Sequence, residues 1–323
     1  MQGPIVITGG AGFVGRWLRD ALQVRQPDVD VISWSAREPG TSGEPPMNSL
    51  TIDITDPRAV NEAICAYLPR TIVHLAGITS IAEVQKDQTK AWAVNVGGTR
   101  ILGEAVLSHV PSCRFIYVSS SEVYGRSFQA SSHAVNENAA LLPLNAYAES
   151  KAAAERSVRK LMDLGLQGLC FRPFNHTGPA QDERFVIPSF AAQIARIEGG
   201  QQKPVISVGN LESARDFLDV RDVVQAYVKA IVLQDLPPSR VFNLASGVPR
   251  TIADALQQLL ALTDVRIEVK ADPGRMRPSD IPVAFGDASR ARDELQWEPQ
   301  IPWAQTLRDI LETFRLRYAR CVP

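Results

Sequence analysis

Only four cysteines and four histidines occur in the 323 residues of this chain, and neither type clusters. Cys65, Cys113, Cys170 and Cys321 show no CxxC spacing, so neither a disulfide frame nor a thiolate zinc site is expected. HxxxH and HExxH pairs are missing too, and no metal site is predicted. Charge of one sign is also lacking. The 34 Lys+Arg against 35 Asp+Glu leave a net charge of −1, which offers no basic footprint for nucleic acid or an anionic membrane. No uncharged apolar run approaches the ~20 residues that a membrane-spanning helix needs. Pro4-Ile-Val-Ile7 enters a strand with no basic and apolar leader before it. With 45% hydrophobic and 21% charged residues, the expectation is a cytoplasmic protein with a large core or two lobes.

What the sequence does contain is alternation. Ile5–Thr8, Val29–Trp34, Thr71–Ala76, Arg114–Ser119 and Leu169–Phe174 read as short buried strands. Between them Gly12–Gln26, Pro57–Leu68, Ala91–His109 and Ala146–Asp163 carry helical spacing. Strands separated by helices predict an α/β fold with a Rossmann-type, doubly wound parallel sheet. From Pro173 onward, proline- and glycine-rich polar stretches interrupt the pattern, as in Gly178–Arg184, Gly199–Pro204 and Asp272–Pro278. They predict a smaller, loop-rich C-terminal lobe supplying substrate contacts. The helix Asp219–Leu233 and the strand Val241–Ala245 look sheet-associated, so the chain is expected to cross between lobes more than once. The expected division is 1–172 plus about 214–247 for nucleotide binding, and about 173–213 plus 248–323 for the nucleotide-sugar lobe.

Thr8-Gly-Gly-Ala-Gly-Phe-Val-Gly15 follows a strand and opens a helix, the context in which a glycine motif signals a dinucleotide. Glycine allows the tight turn and lets backbone amides approach a pyrophosphate at the helix N-terminus. Gly9, Gly12, Phe13 and Val14 are the cofactor-binding candidates of this segment. Cofactor choice is read at the end of the second strand, where an acid marks NAD. Here Ile32-Ser-Trp-Ser-Ala-Arg37 has no acid, and its serines and Arg37 suit a ribose 2′-phosphate. NADP(H) is favoured, with NAD(H) left open. Asp53, followed by Ile54, is placed to accept the adenine amino group. His74-Leu75-Ala76-Gly77 ends a strand with small residues where a backbone must approach the cofactor. His74 itself reads as a packed strand residue rather than a base.

Tyr147 and Lys151 stand four residues apart within Asn145-Ala-Tyr-Ala-Glu-Ser-Lys151, on one face of a helix. A nearby ammonium favours phenolate, which is expected to move a tyrosine toward working pH. Val118-Ser-Ser-Ser-Glu-Val-Tyr-Gly125 leaves the carboxyl end of a strand, where ligands of open α/β sheets bind. A serine there can hydrogen-bond a carbonyl oxygen as negative charge develops. A dinucleotide site followed by a tyrosine acid predicts hydride chemistry on a carbonyl or alcohol.

In order and over nearly the whole chain, the TGGAGFVG turn, Asp53-Ile54, HLAG, Asn95, SSSEVYG and YxxxK resemble the extended short-chain dehydrogenase/reductase family, which acts mostly on nucleotide sugars. The resemblance implies Tyr147 as general acid/base, Lys151 on the nicotinamide ribose and Ser120 as the substrate-orienting hydroxyl, with Asn95 near the cofactor. Arg172-Pro-Phe-Asn-His-Thr-Gly-Pro179, Phe185-Val186, Val208-Gly-Asn-Leu-Glu-Ser-Ala-Arg-Asp-Phe217, Asp219-Val-Arg-Asp222 and Arg277-Pro-Ser-Asp280 look like the GDP-6-deoxy-D-mannose reductases of its nucleotide-sugar branch and, less closely, the GDP-mannose 4,6-dehydratases. That likeness implies Asn175, Arg215 and Arg277 on the GDP diphosphate and Asp280 on the ribose, with Phe185 and Val186 also contacting substrate. Glu122 keeps both readings open, because dehydratases use a glutamate there to eliminate water. The activity implied is reduction of GDP-4-dehydro-6-deoxy-D-mannose to GDP-6-deoxy-D-mannose. Dehydration of GDP-mannose and formation of the C4-epimeric talose product are the alternatives. Relatives commonly form homodimers through a four-helix interface, here about Ala91–His109 and Ala146–Asp163.

Overall fold

Alternating short apolar runs and amphipathic stretches fold as βα units in a computed structural model that describes residues 3–36, 48–130, 133–275 and 281–319. In chain order these are β1 (Ile5–Thr8), α1 (Phe13–Arg25), β2 (Val31–Ser35), β3 (Ser49–Thr51), α2 (Pro57–Tyr67), β4 (Thr71–His74), α3 (Ile81–Lys86) and α4 (Gln88–Trp92). A π-helical turn (Ala93–Gly98), α5 (Thr99–His109), β5 (Arg114–Val118), α6 (Ala146–Asp163) and β6 (Gly168–Pro173) follow. The second half adds β7 (Asn175–Thr177), α7 (Val186–Glu198), β8 (Val205–Val208), β9 (Ala214–Asp219), α8 (Val220–Val232) and β10 (Val241–Leu244). It closes with β11 (Pro249–Thr251), α9 (Ile252–Leu260), β12 (Glu268–Ala271), β13 (Val283–Ala284), α10 (Ser289–Leu295) and α11 (Trp303–Ala319).

Seven strands form one sheet in the order β10-β6-β5-β4-β1-β2-β3, and every pairing is parallel. Parallel strands need both faces covered. Leu18 and Leu22 of α1 and Val223, Val224 and Tyr227 of α8 pack on one face with Ile5, Ile7 and Phe171. Val60 and Ile64 of α2, Leu102 and Val106 of α5 and Val158 of α6 pack on the other with Val6, Ile72 and Phe115. The strand order reverses between β1 and β4, the switch point at which such sheets bind ligands. Arg114, at the start of β5, donates to the carbonyls of Ala230, Ile231 and Leu233 at 2.9, 3.2 and 2.6 Å and so caps the end of α8.

The second lobe has its own core, in which Ile187, Phe190 and Ile194 of α7 meet Leu256 and Leu259 of α9 and Leu307, Ile310 and Phe314 of α11. A four-stranded sheet, β11-β9-β13 with β7 also on β9, lies above the carboxyl end of the parallel sheet, and β8 and β12 form a separate parallel pair. Residues 214–219, expected in the nucleotide-binding part, are β9, the centre of this second sheet. Only α8 and β10 of the expected 214–247 stretch join the parallel sheet's layers. Asp219 stands at the crossing. Its carboxylate caps α8 by accepting from Arg221 N at 2.8 Å, and it also accepts from Thr306 Oγ1 of α11 at 2.8 Å.

The helix expected over Ala91–His109 is broken into α4, the π-helical turn and α5. Two facts account for this. Gly97-Gly98 lowers helix propensity locally, and a Cβ at Gly98 would meet Ile54 Cδ1 at 2.7 Å, so the segment packs too tightly for an ordinary residue. Asn95, in the middle of the turn, is thereby aimed at Ile78 and Ser150.

One buried ion pair ties the layers together. Arg172 of β6 and Glu155 of α6 are 1% and 0% exposed, and Arg172 Nε lies 3.2 and 3.1 Å from the two Glu155 oxygens. Ser119 Oγ donates to Glu155 Oε2 at 2.8 Å, and Arg172 donates to Tyr124 Oη at 2.9 Å and to the Glu137 carbonyl at 3.1 Å. Removing one partner strands the other charge in the core, at a cost of about 3–5 kcal/mol. Arg172→Met is therefore expected to lower the free energy of unfolding by that amount in urea titration. Adding Glu155→Gln should recover part of the loss, the non-additivity that marks a direct pair.

Candidate active site

The site is built at the carboxyl ends of β1, β4 and β5. Gly9 follows β1 with φ +72°, a conformation that suits glycine, and a Cβ there would meet Ala76 N at 2.9 Å. A Cβ on Gly15 would meet the Gly10 backbone at 2.6 Å, so α1 runs hard against the turn. Gly12 caps α1 with no side-chain hydrogen bond, which leaves the first amides of the helix for another acceptor. Phe13 and Val14 form its first turn and lean on the core. These features fit a dinucleotide: a cradle that side chains would fill, facing an uncapped helix N-terminus.

Leu75 and Ala76 line the other side of the turn, their amides bonded to Thr8 O at 3.1 Å and Thr8 Oγ1 at 3.2 Å. Gly77 follows, where a Cβ would press on Asn95 Oδ1 at 3.0 Å. Asp53 is exposed and accepts from Thr55 N and Oγ1 at 2.9 and 2.7 Å, while Ile54 behind it is buried against the π-helical turn. The end of β2 presents Ser33, Trp34 and Ser35 with no carboxylate. Arg37 lies outside the described residues, as do Arg277 and Asp280.

Tyr147 and Lys151 occupy the first turns of α6, capped by Asn145, whose side chain accepts from Ala148 N. Ser120 begins a short 3-10 turn after β5, and its hydroxyl accepts from Glu122 N at 3.2 Å and lies close enough to the Tyr147 phenol to act on its proton. Burial pushes that phenol up to about 12, with the Ser120 hydroxyl opposing the rise and the Glu122 charge adding to it. The expectation that Lys151 lowers it is corrected here. The Lys151 ammonium donates to the Val118 carbonyl at 2.5 Å and sits 4.6 Å over the Tyr117 ring, while burial holds it down at about 8. Desolvation thus dominates both groups and favours the neutral form of each.

Glu122 is half-buried and close enough to act electrostatically on both Tyr147 and Arg215. Arg215, in β9, is half-buried, and burial holds it below the usual arginine value. The sheet register sets Arg250 directly opposite it, also lowered by burial. Like charges across a ladder repel, and the two guanidinium groups bond different partners, Arg215 the Ala214 carbonyl at 2.8 Å and Arg250 Ser246 Oγ and the Val248 carbonyl at 3.2 Å. Arg250 was not among the sequence candidates. Its signal, a lone arginine in a short strand, needs the register to acquire meaning. Asn175 opens β7 beside Phe217, two residues beyond Arg215 in β9. Phe185 and Val186, at the start of α7, leave 44% and 39% of their surface open. His176 bonds the Phe174 carbonyl at 3.0 Å, a packing role. Among the described residues no cluster of His, Cys, Asp and Glu could hold a metal, and no helix is long and apolar enough to cross a membrane.

Comparison with known proteins places this arrangement. The family described as GDP-mannose 4,6 dehydratase matches residues 6–310. A GDP-6-deoxy-D-mannose reductase of Pseudomonas aeruginosa is 33% identical over 314 residues, 97% of each chain. A GDP-6-deoxy-D-talose 4-dehydrogenase of Aggregatibacter actinomycetemcomitans is 26% identical over 88% of this chain and 89% of that one. The solved structure of RMD from Pseudomonas aeruginosa complexed with NADPH superposes with a TM-score of 0.84 at 31% identity, over 98% of this chain and 100% of the other.

The depressed Lys151 has a measurable signature. An unfolded lysine keeps its proton to a higher pH than this one, so the unfolded state binds more protons between about 8 and the ordinary lysine value. The burial penalty is present in full below pH 8 and is relieved as pH rises through that window. Lys151→Met is expected to raise the melting temperature at neutral pH and to flatten this part of the stability profile. Differential scanning calorimetry at stepped pH reads both effects.

Proposed function

This chain belongs to the GDP-mannose 4,6 dehydratase family of extended short-chain dehydrogenases/reductases, and we propose that it reduces the C4 ketone of GDP-4-dehydro-6-deoxy-D-mannose with NADPH, giving GDP-6-deoxy-D-mannose (GDP-D-rhamnose). The observation that carries the reading is the 33% identity to the reductase over 97% of the chain. The nearness of Ser120 to Tyr147 at the carboxyl edge of the sheet supports it.

NADPH, when bound, supplies the hydride. Gly9, Gly12, Phe13, Val14, Leu75, Ala76 and Gly77 would hold the dinucleotide, with Asp53 and Ile54 at its adenine end and Asn95 near its reactive end. The carboxylate-free end of β2, with Arg37 beyond it, favours a 2′-phosphate. Arg215, Arg277, Asn175 and the opposed Arg250 would hold the diphosphate through charge-assisted bonds. Asp280 would take the ribose, and Phe185 and Val186 the apolar parts of the nucleotide.

Ser120 orients the C4 oxygen, and Tyr147 gives it a proton. A phenol raised by burial stays protonated throughout the neutral range, the form that a general acid must have. Lys151, one helical turn away and anchored on the Val118 carbonyl, would hold the nicotinamide ribose. Solvent then returns the proton to Tyr147. Glu122 beside this pair is the residue a dehydratase would use, and it makes dehydration of GDP-mannose the second reading. The side-by-side α5 and α6 would form a homodimer's four-helix interface.

The purified protein is expected to consume one NADPH per GDP-4-dehydro-6-deoxy-D-mannose, and NMR of the product would give the C4 configuration. Tyr147→Phe should lower turnover by roughly 10²–10⁴-fold and leave NADPH binding, followed by fluorescence, intact. Conversion of GDP-mannose to the keto sugar with no net NADPH use, abolished in Glu122→Gln, would instead establish the dehydratase.

A further inference from the structure

His74 ends β4, is 1% exposed, and faces Thr8 of β1 in register. Its two ring nitrogens have different partners, and the partners dictate which nitrogen holds the proton. Thr99 Oγ1 lies 2.6 Å from the Asn95 carbonyl, which can only accept, so the Thr99 proton is committed there. The 2.9 Å contact between His74 Nε2 and Thr99 Oγ1 therefore requires an N–H on Nε2. On the other side Ala76 N–H donates to Thr8 Oγ1 at 3.2 Å. The Thr8 proton is then aimed at His74 Nδ1, 2.7 Å away, which must be bare to receive it. An imidazolium would place a second proton between these atoms and leave the Thr8 hydroxyl proton without its acceptor. The charged group nearest in effect is the Lys151 ammonium, and the Phe115 and Tyr117 rings lie 6.0 and 5.9 Å from the imidazole. Burial first, then the Lys151 ammonium, disfavours a positive ring and pushes its titration down to about 3.

The chain of bonds continues past Thr99. Asn95, in the π-helical turn, donates to Ser150 Oγ at 3.0 Å and holds the Ile78 backbone through bonds of 2.8 and 3.1 Å. Ser150 Oγ in turn donates to the Tyr147 carbonyl at 2.7 Å.

We infer that His74 is a positioning residue: as the neutral Nε2–H tautomer it fixes the π-helical turn, and through Asn95 and Ser150 the first turn of α6, against the glycine turn after β1. Two elements that must act on one reaction are more than 130 residues apart in the chain, from Gly9 to Tyr147. The imidazole is the rigid spacer between them. It takes one donor and gives one, so Thr8 and Thr99 cannot slip relative to each other without losing a buried bond. Its importance for turnover rests on the reductase reading, whereas its tautomer and the coupling do not.

The experiment uses the 15N-labelled, ligand-free protein. Long-range 15N–1H correlation spectra, with the His74 signal assigned by its loss in His74→Gln, should show an Nε2–H imidazole that does not change between about pH 6 and about pH 8. Thr99→Val, which cannot accept the imidazole proton, should shift the amide resonances of Gly9–Gly12 and of Ala148–Lys151 while the fold persists. Thr99→Ser should restore them. In NADPH-linked assays Thr99→Val should lose on the order of 10–100-fold in turnover, the scale of a small misplacement, and Thr99→Ser should recover most of it. An Nδ1–H tautomer, protonation within that pH range, or Thr99→Val shifts confined to α5 would overturn the inference. Spread of the shifts to both turns in a protein that reduces no GDP-keto sugar would support the spacer and defeat the reductase reading.

Discussion

Arg172 sits near the carboxyl end of a parallel strand with its side chain sealed from water, and a guanidinium there is tolerable only when its donors are answered on several sides. Glu155 answers two of them, and Tyr124 and the Glu137 carbonyl two more. The consequence reaches beyond the pair. Tyr124 passes its own proton to Asn243 Oδ1 of β10 at 2.7 Å, and Asn243 Nδ2 holds the Val135 and Asp287 carbonyls at 2.9 and 3.1 Å. One buried charge pair thus fixes α6, the end of β5, β6, β10 and the segment before α10. The serine turn and the Tyr147 helix are both hung from it. Such a network gives little net stability relative to an apolar core, but it admits only one arrangement of its members.

The chemistry above that network is governed by desolvation rather than by mutual attraction of the two site groups. Burial raises Tyr147 and lowers Lys151, so the protein holds a loaded acid beside an ammonium that is easily neutralised. The lysine is anchored to the strand through the Val118 carbonyl, one residue before the serines. Spacing on a helix could not reveal this. It tells that two side chains share a face, not which of their neighbours each will choose.

The parallel sheet, its glycine turn and the Tyr147–Lys151 helix were legible because each has a local signature: apolar runs of strand length, a strand–glycine–helix context, an i,i+4 pair. What escaped was set by contacts between distant segments. The break at Asn95 comes from Ile54 pressing on Gly98, and β9 was misplaced because a six-residue strand with three charged residues does not say which sheet it joins. Arg250 gains significance only from its register opposite Arg215. Glu155, one turn beyond Lys151 on the same helix face, was not singled out in the sequence. Nor was Arg172, a charge inside an apolar strand whose burial requires a partner. Neither residue alone identified the other.

Asp219 is at once the last residue of β9 and the cap of α8, with no connecting segment between them. A strand of the upper sheet therefore turns directly into a helix packed on the lower one, and Thr306 of α11 is fastened to the same carboxylate. There is no slack at this crossing for a hinge. Any sliding of one sheet against the other would have to break the Asp219 bonds to Arg221 or Thr306, so the two layers keep their register as one body at this point.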